Sequence, residues 1–441
     1  MTMPHKLRSL GLALVGALAA APLAAQAAPQ VPTELSLLGA VSLGRQQAVA
    51  ATLANLNAQL AQNKVDIRRA DLLPQLAGNG AVAPQTVNLE QFGLPTAVGV
   101  TPPFTLYAAQ LRASQVIFDA SIIERLKAAS DSAKVAGLDA QHAGSLMGAA
   151  AGLAYLRVLA ATETVAARLA DSAIAATLLG QARQFQAAGV TPAIDLTRNE
   201  VNARTVQSEL LAARNELGRA RLDLLRILNL PLDAPLRLTD SLGTPPADVP
   251  LAPALAVPFA MEHRADVTAE TGRTEVARKS LRATNNENLP SLGFQGQWEW
   301  SGQATDRMLY SYRLLFGIQV PIFDGFRRQR RSSEQSLRLE AQVLRQQDVS
   351  RQAEQEVRRA LLDLGTAESA VAIATDRVEL ATLELKQARE RFEAGVAGSV
   401  ETTQAQAVVV AARNALIQAR ASYGVARITL YQSLGVLDRL Q

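Results

Sequence analysis

The side chains that most often carry chemistry are sparse and dispersed in this sequence. The 441 residues include no cysteine and three histidines, His5, His142 and His263, which lack clustered ligands. No serine has a base and nucleophile arrangement around it, and neither a phosphate-binding glycine loop nor a pair of catalytic carboxylates stands out. We therefore expect no enzyme, no metal and no cofactor.

The absence of cysteine and the charge balance narrow the classes further. Without cysteine the chain has no disulfide, no thiolate metal site and no lipid-modified N-terminal cysteine. The formal charge of +4 is small for 441 residues, so nucleic-acid binding is not predicted.

One basic cluster, Arg327, Arg328, Arg330 and Arg331, has two interpretations. It either contacts lipid phosphates or a partner chain, or forms the solvated start of a helix.

The N-terminus has the pattern of a secretory signal peptide, predicted as residues 1–27. Lys6 and Arg8 precede an apolar run from Leu10 to Leu23, and Ala25-Gln26-Ala27 offers a cleavage site. A retained anchor is the alternative. No other segment resembles a transmembrane helix, so a mature protein in a membrane must be a β-barrel.

Two repeated units account for the rest of the chain. Leu73-Pro74-Gln75-Leu76 is answered by Leu289-Pro290-Ser291-Leu292, and Val116-Ile117-Phe118-Asp119 by Pro321-Ile322-Phe323-Asp324. The first unit is predicted over residues 34–230, with a β-hairpin at about 76–118. The second covers 259–437, with a hairpin at about 292–323. A connector, 231–258, is rich in prolines that we expect outside helices.

Each hairpin leads into a very long helix. Residues from about 121 to 187 and from about 325 to 394 contain no proline. Nearly 70 helical residues form a rod of about 100 Å at 1.5 Å per residue. A heptad stripe marks the second rod (Val371, Ala374, Val378, Ala381, Leu385, Ala388 and Phe392). Gly189 and Gly395 end the rods, and a returning helix follows each.

The hairpins alternate apolar and polar residues with a period of two. Trp298, Trp300, Tyr310, Tyr312 and Phe316 fall on one face, which suits strands with lipid outside and water inside. The two tryptophans and two tyrosines lie near the hairpin tip, where an aromatic girdle belongs. A soluble, half-buried hairpin would show the same alternation. Four strands cannot close a barrel, so chains must associate.

The order and duplication of these motifs resemble the TolC family of outer-membrane efflux proteins. The repeated L-P-x-L, the F-D-x after each hairpin, the R-x-F-x-A-G-V break and Glu262-His263-Arg264-Ala265-Asp266-Val267 carry the resemblance. It implies a mainly α fold with a small transmembrane β portion. In a homotrimer, four strands per chain would build one twelve-stranded barrel above a long periplasmic α-barrel.

The resemblance also implies partners and a location. The chain would be an outer-membrane channel subunit extending into the periplasm and conducting substrates passively. A periplasmic adaptor protein and an inner-membrane transporter, of a tripartite efflux pump or a type I secretion system, would dock at its tip. The alternative from another class is a periplasmic coiled-coil adaptor or structural rod, which shares the export signal and heptads.

The family pattern places a constriction just after each rod. Asp195 and Glu401 correspond to carboxylates that would form rings of negative charge favouring cations; alternatively, each only begins a helix, where a carboxylate suits the dipole. Three residues depart from the family pattern: Gln404 stands for a second acid, Phe392 for a tyrosine and Ala397 for an arginine. We therefore expect a tip held by packing and weak polar contacts.

Overall fold

The computed structural model describes residues 34–89, 99–189, 192–243, 245, 248–394, 396 and 399–440. The predicted signal peptide, Gly395 and Ala397 lie outside these ranges. The first unit comprises β1 (Glu34–Leu35), α1 (Leu37–Gln47), α2 (Val49–Ala70), β2 (Gln75–Gln85), β3 (Phe104–Phe118), α3 (Ala120–Ala187) and α4 (Ala193–Ile227).

The second unit repeats this order after a short strand, β4 (Arg237–Leu238), which pairs in parallel with β1. It comprises α5 (Pro253–His263), α6 (Ala265–Asn286), β5 (Ser291–Gly302), β6 (Leu309–Gln319), α7 (Arg327–Glu393) and α8 (Ser399–Ser433). A 3-10 turn, Leu437–Arg439, follows. The duplicated order predicted from the sequence is therefore present in the fold, with two helices before each hairpin.

The two rods have the predicted length, because α3 contains 68 residues and α7 contains 67. A single residue, Asp119, separates β3 from α3, and its carboxylate accepts hydrogen bonds from the backbone N–H groups of Ser121 (2.8 Å) and Ile122 (3.1 Å). This arrangement is an N-cap, which satisfies donors that the first helical turn leaves open.

The returning helices pack along the rods as antiparallel hairpins. On α7 the predicted stripe is buried against α8, where Ala381, Leu385 and Ala388 pack with Val409 and Ala412. A larger core lies where α4 and α8 end and the connector begins, around Tyr155, Leu224 and Tyr431. The core therefore lies partway along the rods, includes Leu35 of β1 and is far from the four-stranded sheet.

The connector differs from the sequence prediction in one element. Helix α5 begins at Pro253 and contains Pro258, although prolines here were expected outside helices. Pro253 occupies the first helical turn, where the missing N–H has no partner to lose, and Pro258 gives up only one intrahelical hydrogen bond. The expectation was wrong because Pro253 in the first turn costs no hydrogen bond, and the helix continues past Pro258 with one bond fewer.

The expectation about transmembrane helices also needs correction. Within the described residues α3 has an 18-residue window of mean hydropathy 1.4, apolar enough to cross a membrane by composition, and half of this window is buried inside the structure. Its small side chains pack against other helices; Gly148, for example, lies against Val41 and Arg45 of α1.

The four helices that connect directly to the four-stranded sheet form a row with two uncovered sides. Helix α2 packs on α3, α3 on α6, and α6 on α7, so α2 and α7 are the outer members of the row. Both carry exposed leucines on their surface at helical spacing: Leu53, Leu56 and Leu60 on α2, and Leu337 and Leu344 on α7. The sheet has the order β2-β3-β5-β6, so β2 and β6 are likewise edge strands.

Candidate functional site

The far end of the first rod has the geometry of a glycine-terminated helix. The N–H of Ala188 donates to the carbonyl of Gln184 at 3.0 Å, and Gly189 has φ +70°, a left-handed conformation that favours glycine. At the end of the second rod, the N–H of Val396 donates to the carbonyl of Arg391 at 2.9 Å. Both rods therefore stop sharply before the chain returns.

Asp195 lies in the first turn of α4, with 19% of its side chain exposed. Its carboxylate is 3.7 Å from the Arg198 guanidinium, and its backbone carbonyl accepts a 2.8 Å hydrogen bond from the Asn199 amide. The carboxylate borders a small cleft whose other walls include Phe392 and Thr402. Side chains from both helical hairpins thus meet around Asp195.

Glu401 lies in the first turn of α8 and faces a different partner. Its carboxylate is 3.4 Å from the Nε of Arg391, at the end of α7, and both side chains are substantially exposed. Gln404 is exposed one turn later. The two predicted carboxylates therefore occupy equivalent places in the repeats, but only Asp195 lines the cleft between the hairpins.

The tip is also joined by an aromatic contact. The rings of Phe185 on α3 and Phe392 on α7 meet edge to face, with centroids 5.9 Å apart. Such pairs contribute about 0.5–1.5 kcal/mol beyond the area they bury. Phe392 has no hydroxyl group, unlike the tyrosine of the family pattern, and it joins the two rods by this packing contact instead.

The register of the sheet places the predicted aromatic residues on one face. Trp298 is opposite Tyr312, Trp300 opposite Tyr310, and Phe294 opposite Phe316. The rings contact each other, with centroid distances of 5.5 Å for Trp300 and Tyr310 and 4.9 Å for Phe294 and Phe316. The same face continues through β3 and β2 with smaller residues: Leu111, Ala109, Gly80 and Val82.

The opposite face of the sheet is polar over most of its width. One row across the strands contains Asn79, Gln110, Glu299 and Ser311, and the next contains Arg112, Gln297 and Arg313. Since directly opposed residues of antiparallel strands share a face, the four strands form one two-sided surface. One side suits an apolar medium and the other suits water.

A buried carboxylate on the first rod was missed by the sequence reasoning. Asp171 is only 2% exposed and lies 3.5 Å from Arg168 on its own helix and 3.6 Å from Arg413 on α8. Burial raises the pKa of Asp171, and the two arginines offset only part of this effect. The available signal was an acid within an alanine-rich stripe at a spacing that faces the neighbouring helix.

Arg264 forms a second ionic cluster that joins three helices. This buried guanidinium donates to both carboxylate oxygens of Asp266 (3.1 and 2.7 Å), to Glu356 of α7 (2.7 Å) and to the carbonyl of Ser433 in α8 (3.3 Å). Although burial opposes it, bonding to Arg264 holds the pKa of Asp266 below its ordinary value. The motif at 262–267 contained both residues, but its partners are distant in sequence.

No compact metal-ligand set occurs in the part of the chain that the structure describes. Groups of three or more His, Asp or Glu side chains suitable for a metal ion are absent from it. His263 stacks on Phe259, with ring centroids 4.1 Å apart.

A family model and several solved structures match this chain. Residues 257–436 match the family model described as outer membrane efflux protein. The CmeC outer membrane channel of Campylobacter jejuni superposes with a TM-score of 0.81 at 16% identity, over 91% of this chain and 86% of CmeC.

Two further structures are similar to the chain. CusC gives a TM-score of 0.79 at 17% identity, over 90% of this chain and 92% of CusC. The outer membrane protein VceC of Vibrio cholerae gives 0.77 at 16% identity, over 90% of this chain and 96% of VceC. No curated protein sequence matches the chain.

The duplicated rods and two-sided sheet define a TolC-type fold, and the second unit carries an outer membrane efflux protein domain. The family model thus covers the second unit, and the whole chain shares its fold with outer membrane channels, which agrees with the TolC-family resemblance found in its sequence.

Proposed function

We propose that the chain is one subunit of a homotrimeric outer-membrane channel that passively conducts substrates from a pump to the exterior. The observation that carries this proposal is the two-sided sheet with unpaired edges. Its aromatic face suits lipid and its polar face suits a water-filled lumen. An exposed edge strand in lipid leaves backbone groups unsatisfied, so β2 of one copy must pair with β6 of the next.

The open helical edges support the same assembly. The exposed leucines of α2 and α7 would face each other when β2 and β6 pair, because each helix adjoins its edge strand along the chain. Three copies are proposed from the family resemblance, since three sets of four strands give a barrel of twelve. The rods would then form a periplasmic tunnel about 100 Å long.

In this assembly the predicted site residues take three roles. Trp298, Trp300, Tyr310, Tyr312 and Phe316 face lipid, with the aromatic residues at 298, 300, 310 and 312 forming the outer girdle. Asp195 and Glu401, with Gln404, line the constriction at the periplasmic tip.

We assign the break and packing of the tip to Gly189 and Phe392. The other two residues predicted for this role, Gly395 and Ala397, lie outside the described residues. The adaptor and the inner-membrane transporter would dock at this end. CusC, studied for transmembrane channel formation, and the CmeC outer membrane channel have this architecture.

Membrane fractionation followed by single-channel recording tests the proposal. The full chain is expected in outer-membrane extracts as a detergent-solubilised oligomer that dissociates on heating, and it is expected to conduct ions in planar bilayers. Recovery from the soluble periplasm without detergent would instead support a structural rod. A matched sample carrying an unrelated exported protein controls for contamination by endogenous porins.

A further inference from the structure

The segment between β6 and α7 exposes apolar side chains where the sheet meets the rods. Ile322 is 91% exposed, Phe323 74% and Phe326 63%. The rings of Phe323 and Phe326 meet edge to face, with centroids 5.5 Å apart. We call these three residues, together with Arg327 and Arg330, the junction patch.

One aromatic residue of the junction patch, Phe326, has a strained backbone conformation. Phe326 has φ 64°, in the left-handed region, which is unfavourable for any residue with a Cβ atom. The Asp324 carboxylate fixes the loop by accepting bonds from the backbone N–H (3.2 Å) and Nε (2.9 Å) of Arg328. A bulky aromatic is thus retained, exposed and oriented at a position where glycine would be less strained.

The position of the patch along the chain corresponds to the opposite surface of a membrane. Strand β6 ends at Gln319, and four further residues lead to Phe323, so the 13 residues from Tyr310 span at most about 43 Å, or about 30 Å across a bilayer at a tilt near 45°. This upper limit equals the typical hydrocarbon thickness. Ile318, Val320 and Ile322 continue the apolar face of β6 down to the patch.

The positive charges of the patch are available for an anion. Arg328 is bonded to Asp324, and Arg331 pairs with Glu287, whose carboxylate also contacts Arg125. Among the described residues no ion pair involves Arg327 or Arg330, and both are exposed. Two uncommitted guanidinium groups therefore adjoin two exposed rings.

We propose that the junction patch binds the headgroup of an anionic phospholipid in the periplasmic leaflet. Phe323 and Phe326 enter the boundary between headgroups and acyl chains, and Arg327 and Arg330 bind the phosphate. This inference rests on the proposed membrane channel and adds the class of lipid that the channel selects. A zwitterionic lipid fits less well, because its own ammonium group offsets the phosphate charge.

Quenching by brominated lipids tests this selection. The chain contains two tryptophans, so a full-length W298F/W300F/F323W variant places a single tryptophan in the patch. It is reconstituted in phosphatidylcholine vesicles that contain equal mole fractions of either brominated phosphatidylglycerol or brominated phosphatidylcholine. We expect the anionic lipid to associate up to about 25-fold more strongly, since each of the two arginines near the membrane contributes a factor of about five.

Charge variants identify the source of the preference. Adding R327Q/R330Q should abolish it, whereas R377Q, which removes an exposed arginine about 75 Å further along α7, should leave it unchanged. Equal quenching by both lipids, or a preference that survives R327Q/R330Q, would overturn the proposal. Absence of quenching in vesicles that still conduct would also overturn the proposal, because the patch would then contact a second copy or water instead of lipid.

If the proposed channel function is wrong, a different result is expected: neither conductance nor quenching will be observed. If the tryptophan variant does not fold, the unaltered chain in uncharged detergent gives a second readout. Short-chain phosphatidylglycerol should raise its Tm more than short-chain phosphatidylcholine, and R327Q/R330Q should remove the difference. Equal Tm shifts in the unaltered chain would contradict the proposal.

Discussion

At the scale of single residues, the buried ionic clusters are the features that were not predicted from the sequence. Arg264 and Asp266 are neighbours in a motif, but Glu356 and Ser433 complete their cluster from helices far along the chain. Asp171 likewise meets Arg413 only because α3 and α8 are adjacent. Pattern and propensity are local, whereas these pairings depend on how helices are arranged, so they could not be predicted.

Replacing Asp266 with asparagine should destabilise the chain in a pH-dependent way. D266N removes a carboxylate bonded twice to buried Arg264, and we expect the free energy of unfolding to fall by about 2 kcal/mol at pH 7. The native pKa of Asp266 is lowered, so its stabilisation is present above the unfolded pKa and is lost as the pH falls through the native value.

Thermal melts from pH 7 to pH 3 measure this effect. The Tm difference between D266N and the native chain should narrow below about pH 4. A difference that stays constant over this range would show that the ion pair is not its source. D376N, which changes an exposed aspartate on α7, is the matched control and should leave Tm nearly unchanged.

Replacing Glu401 with glutamine tests the proposed constriction. E401Q removes a ring charge, and we expect the preference for potassium over chloride to fall by about twofold, because a partly exposed charge contributes less than about 1 kcal/mol. Reversal potentials in bilayers under a salt gradient measure it. D363N, an exposed change elsewhere on α7, serves as the control, and single-channel properties identical in E401Q and the native protein would remove Glu401 from the constriction.

At the scale of elements, the sequence predicts most of the structure because the signals are long and periodic. The rods were predicted to within about two residues, since proline-free heptads end at glycine and begin beside a strand. The strand faces also followed from a period of two. The pairing of β3 with β5 was not predicted, because it joins the two units over nearly 200 residues of chain.

Truncating the α7 stripe should weaken the second hairpin. Leu385 is 7% exposed and packs against α8, so L385A should cost about 2–4 kcal/mol through lost contacts and a cavity. The matched control is L383A, because Leu383 is half exposed on another side of the same helix and should cost under about 1 kcal/mol. Equal losses of Tm in the two variants would contradict the assigned packing face.

At the scale of the whole molecule, a single chain leaves the edges of its sheet and the sides of its helical row without partners in the described structure. Its described sheet has two free edges and its row of helices has two free sides, so the stability of the proposed oligomer would depend on contacts between copies. The sequence indicated this requirement by supplying only four strands. The angle at which neighbouring copies meet depends on many side chains together and is not encoded in any single motif.

A charge on the free side of α2 should prevent assembly. Leu56 is 48% exposed on the surface proposed to meet α7 of the next copy, so L56E should weaken association at least tenfold, by burying a charge and losing apolar contact. The measurement is the fraction of heat-dissociable oligomer in detergent extracts. L251E alters an equally exposed leucine in the connector and should assemble normally. Normal oligomer in L56E would place the interface elsewhere.

The one-residue joint at Asp119 makes the first rod a lever. Its capped start couples the direction of the helix to that of β3, so a rotation of 3° there displaces the far end of a rod about 100 Å long by about 5 Å. In the proposed channel, a rotation that α3 shares with the helices packed on it would therefore become a side-chain-sized movement at Asp195. The same leverage runs in reverse, so a force applied at the tip would be felt as torque at the base of the sheet.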